Sequence, residues 1–134
     1  MPSRKRAKPR DERIQIHHAD VLFRDVAVTG DGQVLKGNVL LSHNGMRLTC
    51  DSAVFYEASN SFMAYGKVKF RQGDTLSLKG DSLYYDGTSQ FARVFRNVEM
   101  RHHKMTLYTE LLNYDRISGR GFYDVGGEII DGTN

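Results

Sequence analysis

Five histidines, one cysteine and a recurring set of acids are the side chains in this sequence with the chemistry to bind a metal or make a nucleophile. Four of the histidines come in adjacent pairs, His17-His18 and His102-His103. Neighbours on a strand point to opposite faces, so neither pair chelates as a unit outside a turn. His102-His103 falls at an expected turn between Met100 and Met105, and His43 sits at another, beside Asn44-Gly45. Exposed turn histidines account for them, and no Cys/His cluster has zinc-ligand spacing. Asp20, Asp51, Asp81 and Glu110 recur about every 30 residues. A catalytic acid is needed once, whereas Asp repeated at bends bonds neighbouring backbone N–H groups. Cys50 has no His and Asn or Asp arrangement around it and reads as a small buried hydrophobe. Ser52 and Ser82 lack the G-x-S-x-G setting of a nucleophile elbow. A phosphate loop of the P-loop or Rossmann type needs a helix after it, and no helical pattern is present.

Those side chains must be held by elements, and the length of 134 residues fits one domain able to bury a core. The hydrophobic fraction is 40% and the charged fraction 26%, with no apolar run near the ~18 residues of a membrane helix. One cysteine excludes an internal disulfide framework. The pI of 9.1 suggests nucleic acid, but its origin is local. Residues 1–13 carry six of the nineteen Lys and Arg against two acids, a net of +4, and both prolines. The remaining body, from Ile14, has 13 basic and 14 acidic residues, a net of −1. Residues 1–13 therefore read as a disordered basic leader, 14–134 as one domain, and no basic stripe is expected across the folded body. No apolar signal-peptide core follows these charges. That leaves a cytosolic protein or one whose signal segment lies outside this sequence.

From Ile14 onward there is no proline and all thirteen glycines are present. Alternation of apolar and polar residues is everywhere, as in Lys67-Val68-Lys69-Phe70-Arg71. Period two over short runs means half-buried strands. Asn44-Gly45, Asn60-Ser61, Gln72-Gly73-Asp74, Asp86-Gly87 and Ser118-Gly119 mark the turns. Gly37-Asn38-Val39, Gly66-Lys67-Val68 and Arg96-Asn97-Val98 recur at spacings of 29 and 30. A worn fourth copy begins at Gly126-Gly127-Glu128, and the Asp51, Asp81 and Glu110 segments recur at 30 and 29 with an earlier copy at Asp20. Each ~30-residue unit is two strands, and two strands cannot bury one apolar face alone, so the units must stack.

Parity identifies the inward residues. Leu35, Val39 and Leu41 share one face, as do Ala64, Val68 and Phe70, then Val94, Val98 and Met100. Leu48, Leu76, Leu78 and Leu107 match them on the return strands. After Leu78 the parity slips, and Leu83 and Tyr85 take over, as Phe55 does one unit earlier. A bulge at Gly80-Asp81, with bends at Gly37 and Gly66, keeps both ends facing inward. The expectation is an all-β, antiparallel, open-ended β-jelly-roll or V-shaped stacked-strand sandwich. Its outer faces are polar, and its interior is either a packed core or an open apolar trough; periodicity leaves both possible. Aromatic residues such as Phe70, Tyr84 and Phe95 read as core rather than base-stacking platforms, because Lys67, Lys69 and Arg71 lie opposite Val68 and Phe70.

The ordered motifs resemble the OstA/LptA family of organic-solvent-tolerance and lipopolysaccharide-transport proteins. The matching stretches are Leu35-Lys36-Gly37-Asn38-Val39, Cys50-Asp51-Ser52-Ala53, Ala64-Tyr65-Gly66-Lys67-Val68, Gly73-Asp74-Thr75-Leu76 and Leu83-Tyr84-Tyr85-Asp86. The opening Ala19-Asp20-Val21-Leu22-Phe23-Arg24-Asp25 fits the usual first strand. The resemblance implies a periplasmic bridge of a Gram-negative bacterium, with its signal peptide already removed. It further implies a non-enzymatic protein without cofactor or metal, carrying lipopolysaccharide by its lipid A acyl chains. On that reading the groove is Leu35, Val39, Leu41, Leu48, Phe55, Ala64, Val68, Phe70, Leu76, Leu78, Leu83, Tyr85, Val94, Val98, Met100 and Leu107. Other transport proteins or a second copy would join through edge strands near residues 14–25 and 121–130. The chain is then a module of its own or part of a longer OstA-like protein. A closed structural scaffold that docks envelope partners is the alternative. Nucleic-acid binding would rest on the leader alone and is not expected.

Overall fold

The computed structural model describes residues 13–123 and the backbone of 128–131. The expected leader, apart from Arg13, and the worn unit at Gly126-Gly127 lie outside the described residues. The chain runs β1 (Gln15–His18), β2 (Val21–Arg24), α1 (Val26–Thr29), β3 (Gln33–His43), β4 (Met46–Tyr56), β5 (Ser61–Gln72), β6 (Leu76–Asp86), β7 (Phe91–His102), β8 (Met105–Asp115), β9 (Arg120–Phe122) and β10 (Glu128–Asp131). All ten strands belong to one antiparallel sheet in sequence order, and β1 and β10 end it without meeting. β1 and β2 pair successive halves of β3, and β10 and β9 pair successive halves of β8. Each end row is thus made of two short strands, one per half of its neighbour. The expected turns all join strands, and Asn44-Gly45 has the two positive φ values, 48 and 85°, of a type I′ hairpin. The single turn of α1 departs from the helix-free expectation. It is held by Thr29 Oγ1 donating to the Asp25 carbonyl, and one turn leaves no periodicity to detect.

Every long strand breaks register in its middle. On β3, β5 and β7 the break holds two consecutive left-handed residues: Gly37-Asn38, Gly66-Lys67 and Arg96-Asn97. The extra residue bends the strand, so the sheet folds along a line through these breaks. The Asp residues of the preceding rungs fill the bends. A Cβ on Gly37 would lie 2.8 Å from Asp20 Cβ, and one on Gly66 2.9 Å from Asp51 Cβ. Asn38 Nδ2 donates to Asp20 Oδ2 (3.1 Å) and Asn97 Nδ2 to Asp81 Oδ2 (2.9 Å). Asp20, Asp51 and Asp81 therefore serve the bends, and cross-strand Asn amides are the partners of Asp20 and Asp81 there. The expected break at Gly80-Asp81 is present, since β6 shifts register against β7 between Lys79 and Ser82; Gly80 has no positive φ, and a Cβ there would sit 2.5 Å from Val94 Cγ1.

The fold line divides the sheet into two facing leaves. The first leaf contains the Val39–His43, Met46–Cys50, Val68–Gln72, Leu76–Gly80, Val98–His102 and Met105–Thr109 halves with β1 and β10. The second contains the other halves with β2 and β9. Their outer faces differ, which corrects two sequence-level expectations. On the second leaf the outward row is apolar rather than polar from Phe23 through Val34, Val54 and Met63 to Tyr84, and turns polar only at Arg93 and Asn113. On the first leaf Arg47, Lys69, Arg71, Lys79 and Arg101 share one outer face with Glu99. A basic patch does cross the body, hidden from composition because the acids lie elsewhere.

Candidate functional site

The interior between the leaves is the candidate site. All sixteen residues predicted to face inward do so, and all are buried. Strand register sorts them into rows that cross the stack. Nearest the fold line the first leaf presents Val39 opposite Cys50, Val68 opposite Gly80, and Val98 opposite Thr109. The second leaf presents Leu35, Ala53, Ala64, Leu83, Val94 and Leu112 there. Further out run Leu41, Leu48, Phe70, Leu78, Met100 and Leu107, faced by Phe55, Phe62, Tyr85, Ala92 and Tyr114. On the first leaf small side chains line the apex and Leu, Phe and Met fill the next row, as close packing of a V requires. Burying a Leu or Phe in this way stabilises the fold by about 1.5–3 kcal/mol.

At the open lips, far from the fold line, a polar cluster joins the leaves. Arg116, just past β8, is its centre. Its Nε donates to Gln72 Oε1 (2.6 Å), and Nη2 donates to the Asn44 carbonyl (2.6 Å). Nη1 lies within hydrogen-bond distance of the His43 carbonyl (3.0 Å), the Tyr85 hydroxyl (2.9 Å) and Gln90 Oε1 (3.3 Å). His43, Asn44 and Gln72 belong to the lip of the first leaf, Tyr85 and Gln90 to that of the second. Because Arg116 donates to the Tyr85 oxygen, the Tyr85 proton is available to His43 Nδ1, 2.7 Å away. Burial pushes the Tyr85 hydroxyl above its ordinary pKa, and the Arg116 charge and hydrogen bond oppose that rise. Burial likewise raises the Tyr114 pKa, opposed by the Arg116 charge and a hydrogen bond with Gln72. Neutral acceptors surround the guanidinium, and among the described residues no carboxylate forms an ion pair with it.

Sequence reasoning reached the apolar rows but missed this clasp. His43 shares the inward parity of Leu41, which signals burial. Arg116 lies in a turn, where no periodicity applies.

The described residues leave a cavity at the C-terminal end of the trough. It has a volume of about 230 Å³ and is lined by Leu76, Met100, Met105 and Leu107 of the first leaf and by Tyr114, Gly121 and Tyr123 beside the second. At the N-terminal end Leu22, inward and opposite Leu35, is 53% exposed.

The other reactive side chains are engaged elsewhere. His17 Nε2 lies 2.6 Å from Ser42 Oγ, and His18 Nε2 2.9 Å from Asp20 Oδ1. That contact lowers the Asp20 pKa. His102 and His103 sit at the β7–β8 turn with rings stacked edge to face at 4.3 Å. Among the described residues no three His, Cys, Asp or Glu converge as metal ligands. Cys50 is buried, as expected of a small hydrophobe. Its thiol donates to the Ser52 carbonyl (3.2 Å), and burial pushes its pKa up to about 12, far from a reactive thiolate.

The fold is similar to that of LptH from Pseudomonas aeruginosa, described as the LptA-homologous periplasmic component of the lipopolysaccharide transport device. The TM-score is 0.75 over 90% of this chain and 96% of that one, at 14% sequence identity. A comparison with curated proteins gives no match. The model of the OstA-like protein family matches residues 11–134, and the chain belongs to that family.

Proposed function

We propose that the chain is a non-enzymatic carrier module of lipopolysaccharide transport in the periplasm of a Gram-negative bacterium. Acyl chains would lie between the two leaves. The observation that carries this reading is the continuous apolar interior, crossing every long strand and widening into a cavity at its C-terminal end. Family membership and the fold shared with a periplasmic transport component support it. Burial of chain surface would contribute about 25 cal/mol per Å². Hydrophobic contact is non-directional, so a chain slides along the rows with little change in energy. Entry requires the leaves to part, and the Arg116 clasp is the contact that must yield. Other transport proteins or a second copy would continue the sheet at β1/β2 and β9/β10 by strand addition. No catalytic role is assigned to any residue.

One observation favours a second reading. None of the sixteen inward residues is more than 9% exposed, which suits a scaffold with a closed core. Photo-crosslinking to purified lipopolysaccharide separates the two. A photoreactive residue at inward Val68, with outward Lys67 as control, gives adducts at Val68 alone if the protein is a carrier. Absence of adducts at Val68, Leu78 and Val98 would replace the carrier with the scaffold.

A further inference from the structure

The outer face of the first leaf is independent of the trough. Strand register sets Ser42, Arg47, Arg71, Ser77, Arg101 and Thr106 in one row across β3 to β8. The next row is Leu40, Thr49, Lys69, Lys79, Glu99 and Tyr108. Five cations thus stand on four adjacent strands with one acid among them. Glu99 is taken by Arg101 at 3.0 Å. Among the described residues no carboxylate forms an ion pair with Arg47, Lys69, Arg71 or Lys79.

Two features set this patch apart from an ordinary solvated face. Arg47 stands directly opposite Arg71, and Lys69 directly opposite Lys79. Like charges directly opposite on a sheet destabilise it, and alternating signs would have removed the repulsion. A depression of about 340 Å³ also lies among these cations, with Arg71, Lys79, Arg101, Thr75, Ser77 and His103 supplying donors. Asp74 and the Arg101-paired Glu99 are in its wall too.

We propose that this face docks on the phosphate-bearing headgroups of an anionic bilayer. Charge complementarity names an anion. The arrangement names a surface: the cations spread in two dimensions, about 5 Å apart on neighbouring strands and about 10 Å on alternate ones. They do not follow one track. A single-strand nucleic-acid site interleaves aromatic rings with its cations, whereas this face has one aromatic, Tyr108, at its border. Headgroup phosphates would screen the opposed pairs, so the repulsion left in the free protein is relieved on the membrane.

The test is flotation of the full chain with vesicles of equimolar phosphatidylglycerol and phosphatidylcholine, against phosphatidylcholine alone. Binding is expected only to the anionic vesicles and should fade as salt rises from about 50 to about 200 mM. The double variant Arg71→Gln/Lys79→Gln should bind roughly tenfold to thirtyfold more weakly, given the contribution of each basic residue near an anionic surface. The control Lys36→Gln/Arg93→Gln removes the same charge from the other leaf and should bind as the parent does. Arg71→Gln/Lys79→Gln should melt no lower than the parent, because it removes one partner from each opposed pair. Equal loss in both variants would assign the attraction to net charge, and unchanged binding in Arg71→Gln/Lys79→Gln would remove this face from it. Either result overturns the proposal. So would release by inorganic phosphate at constant ionic strength, which marks a free-phosphate site, or tighter binding to an oligonucleotide than to vesicles. Because Val68 crosslinking reads the trough and flotation reads this face, either can fail alone.

Discussion

The Tyr85 hydroxyl stands 2.7 Å from His43 Nδ1, although β6 and β3, which carry them, do not pair. Only folding the sheet back on itself brings these lips together. The contact therefore reports closure of the trough, and Arg116 ties it to Gln72, Gln90 and the Asn44 carbonyl. Arg116→Ala leaves several acceptors short of a donor and should cost about 1–3 kcal/mol in urea unfolding. Arg116→Lys should not restore the loss, since one ammonium cannot reproduce a planar fork donating in three directions. If both variants unfold at the parent's urea midpoint, the clasp contributes nothing to closure.

The fold line makes a second prediction. Gly66 and Gly45 share φ values of 81 and 85°, but a Cβ on Gly45 meets open space while one on Gly66 meets Asp51. Gly45→Ala should cost only the left-handed penalty, about 1 kcal/mol. Gly66→Ala should cost about 1–3 kcal/mol more from the clash. Part of the excess should return in Gly66→Ala/Asp51→Ala, a coupling that a double-mutant cycle measures. Arg96 occupies the same bend at φ 67° without being glycine. Arg96→Gly should raise stability by roughly 0.5–1 kcal/mol after the added chain entropy. Equal costs at Gly45 and Gly66 would show that the bend does not depend on contact with Asp51.

The apolar rows were legible in the sequence because strand parity is a local signal. Leu76-x-Leu78 and Leu83-x-Tyr85 state their own inward faces, and the slip between them locates the bend. What lies across strands was not legible. Arg47 and Arg71 are 24 residues apart, and only register puts them opposite each other. The apolar outward row from Phe23 to Tyr84 is likewise assembled one residue per strand. Arg116 reaches its partners through tertiary folding from a turn that carries no pattern. The bulge at Gly80-Asp81 was legible, whereas Val94 filling the space that a side chain at Gly80 would need was not.

Cys50 links burial to pH. Its thiol stays protonated in the fold to about pH 12, against an ordinary value of 9.0. Between these values the folded chain binds the proton that the unfolded chain releases. The contribution is complete below about pH 9 and falls as pH rises, by up to about 1.4 kcal/mol per unit. Comparison with Cys50→Ala isolates the effect, because Tyr85 and Tyr114 are common to both proteins. The parent should lose stability more steeply than the variant above pH 9. Parallel pH profiles would mean that the thiol ionises in place.

Leu78 tests whether the interior can serve both as core and as lipid space. It is fully buried in the middle row, opposite Phe70 on one side and Met100 on the other. Leu78→Ala should cost about 2–5 kcal/mol in the lipid-free protein, from lost burial and the cavity left behind. A trough that admits acyl chains offers a way to refill that cavity. Added lipopolysaccharide should then raise the melting temperature of Leu78→Ala more than that of the parent, because a ligand of the folded state stabilises it by mass action. A closed core should show the same initial loss with no lipid-dependent recovery. The lipid-free melt thus measures how tightly the leaves pack, and the lipid-dependent difference measures whether a chain can enter between them.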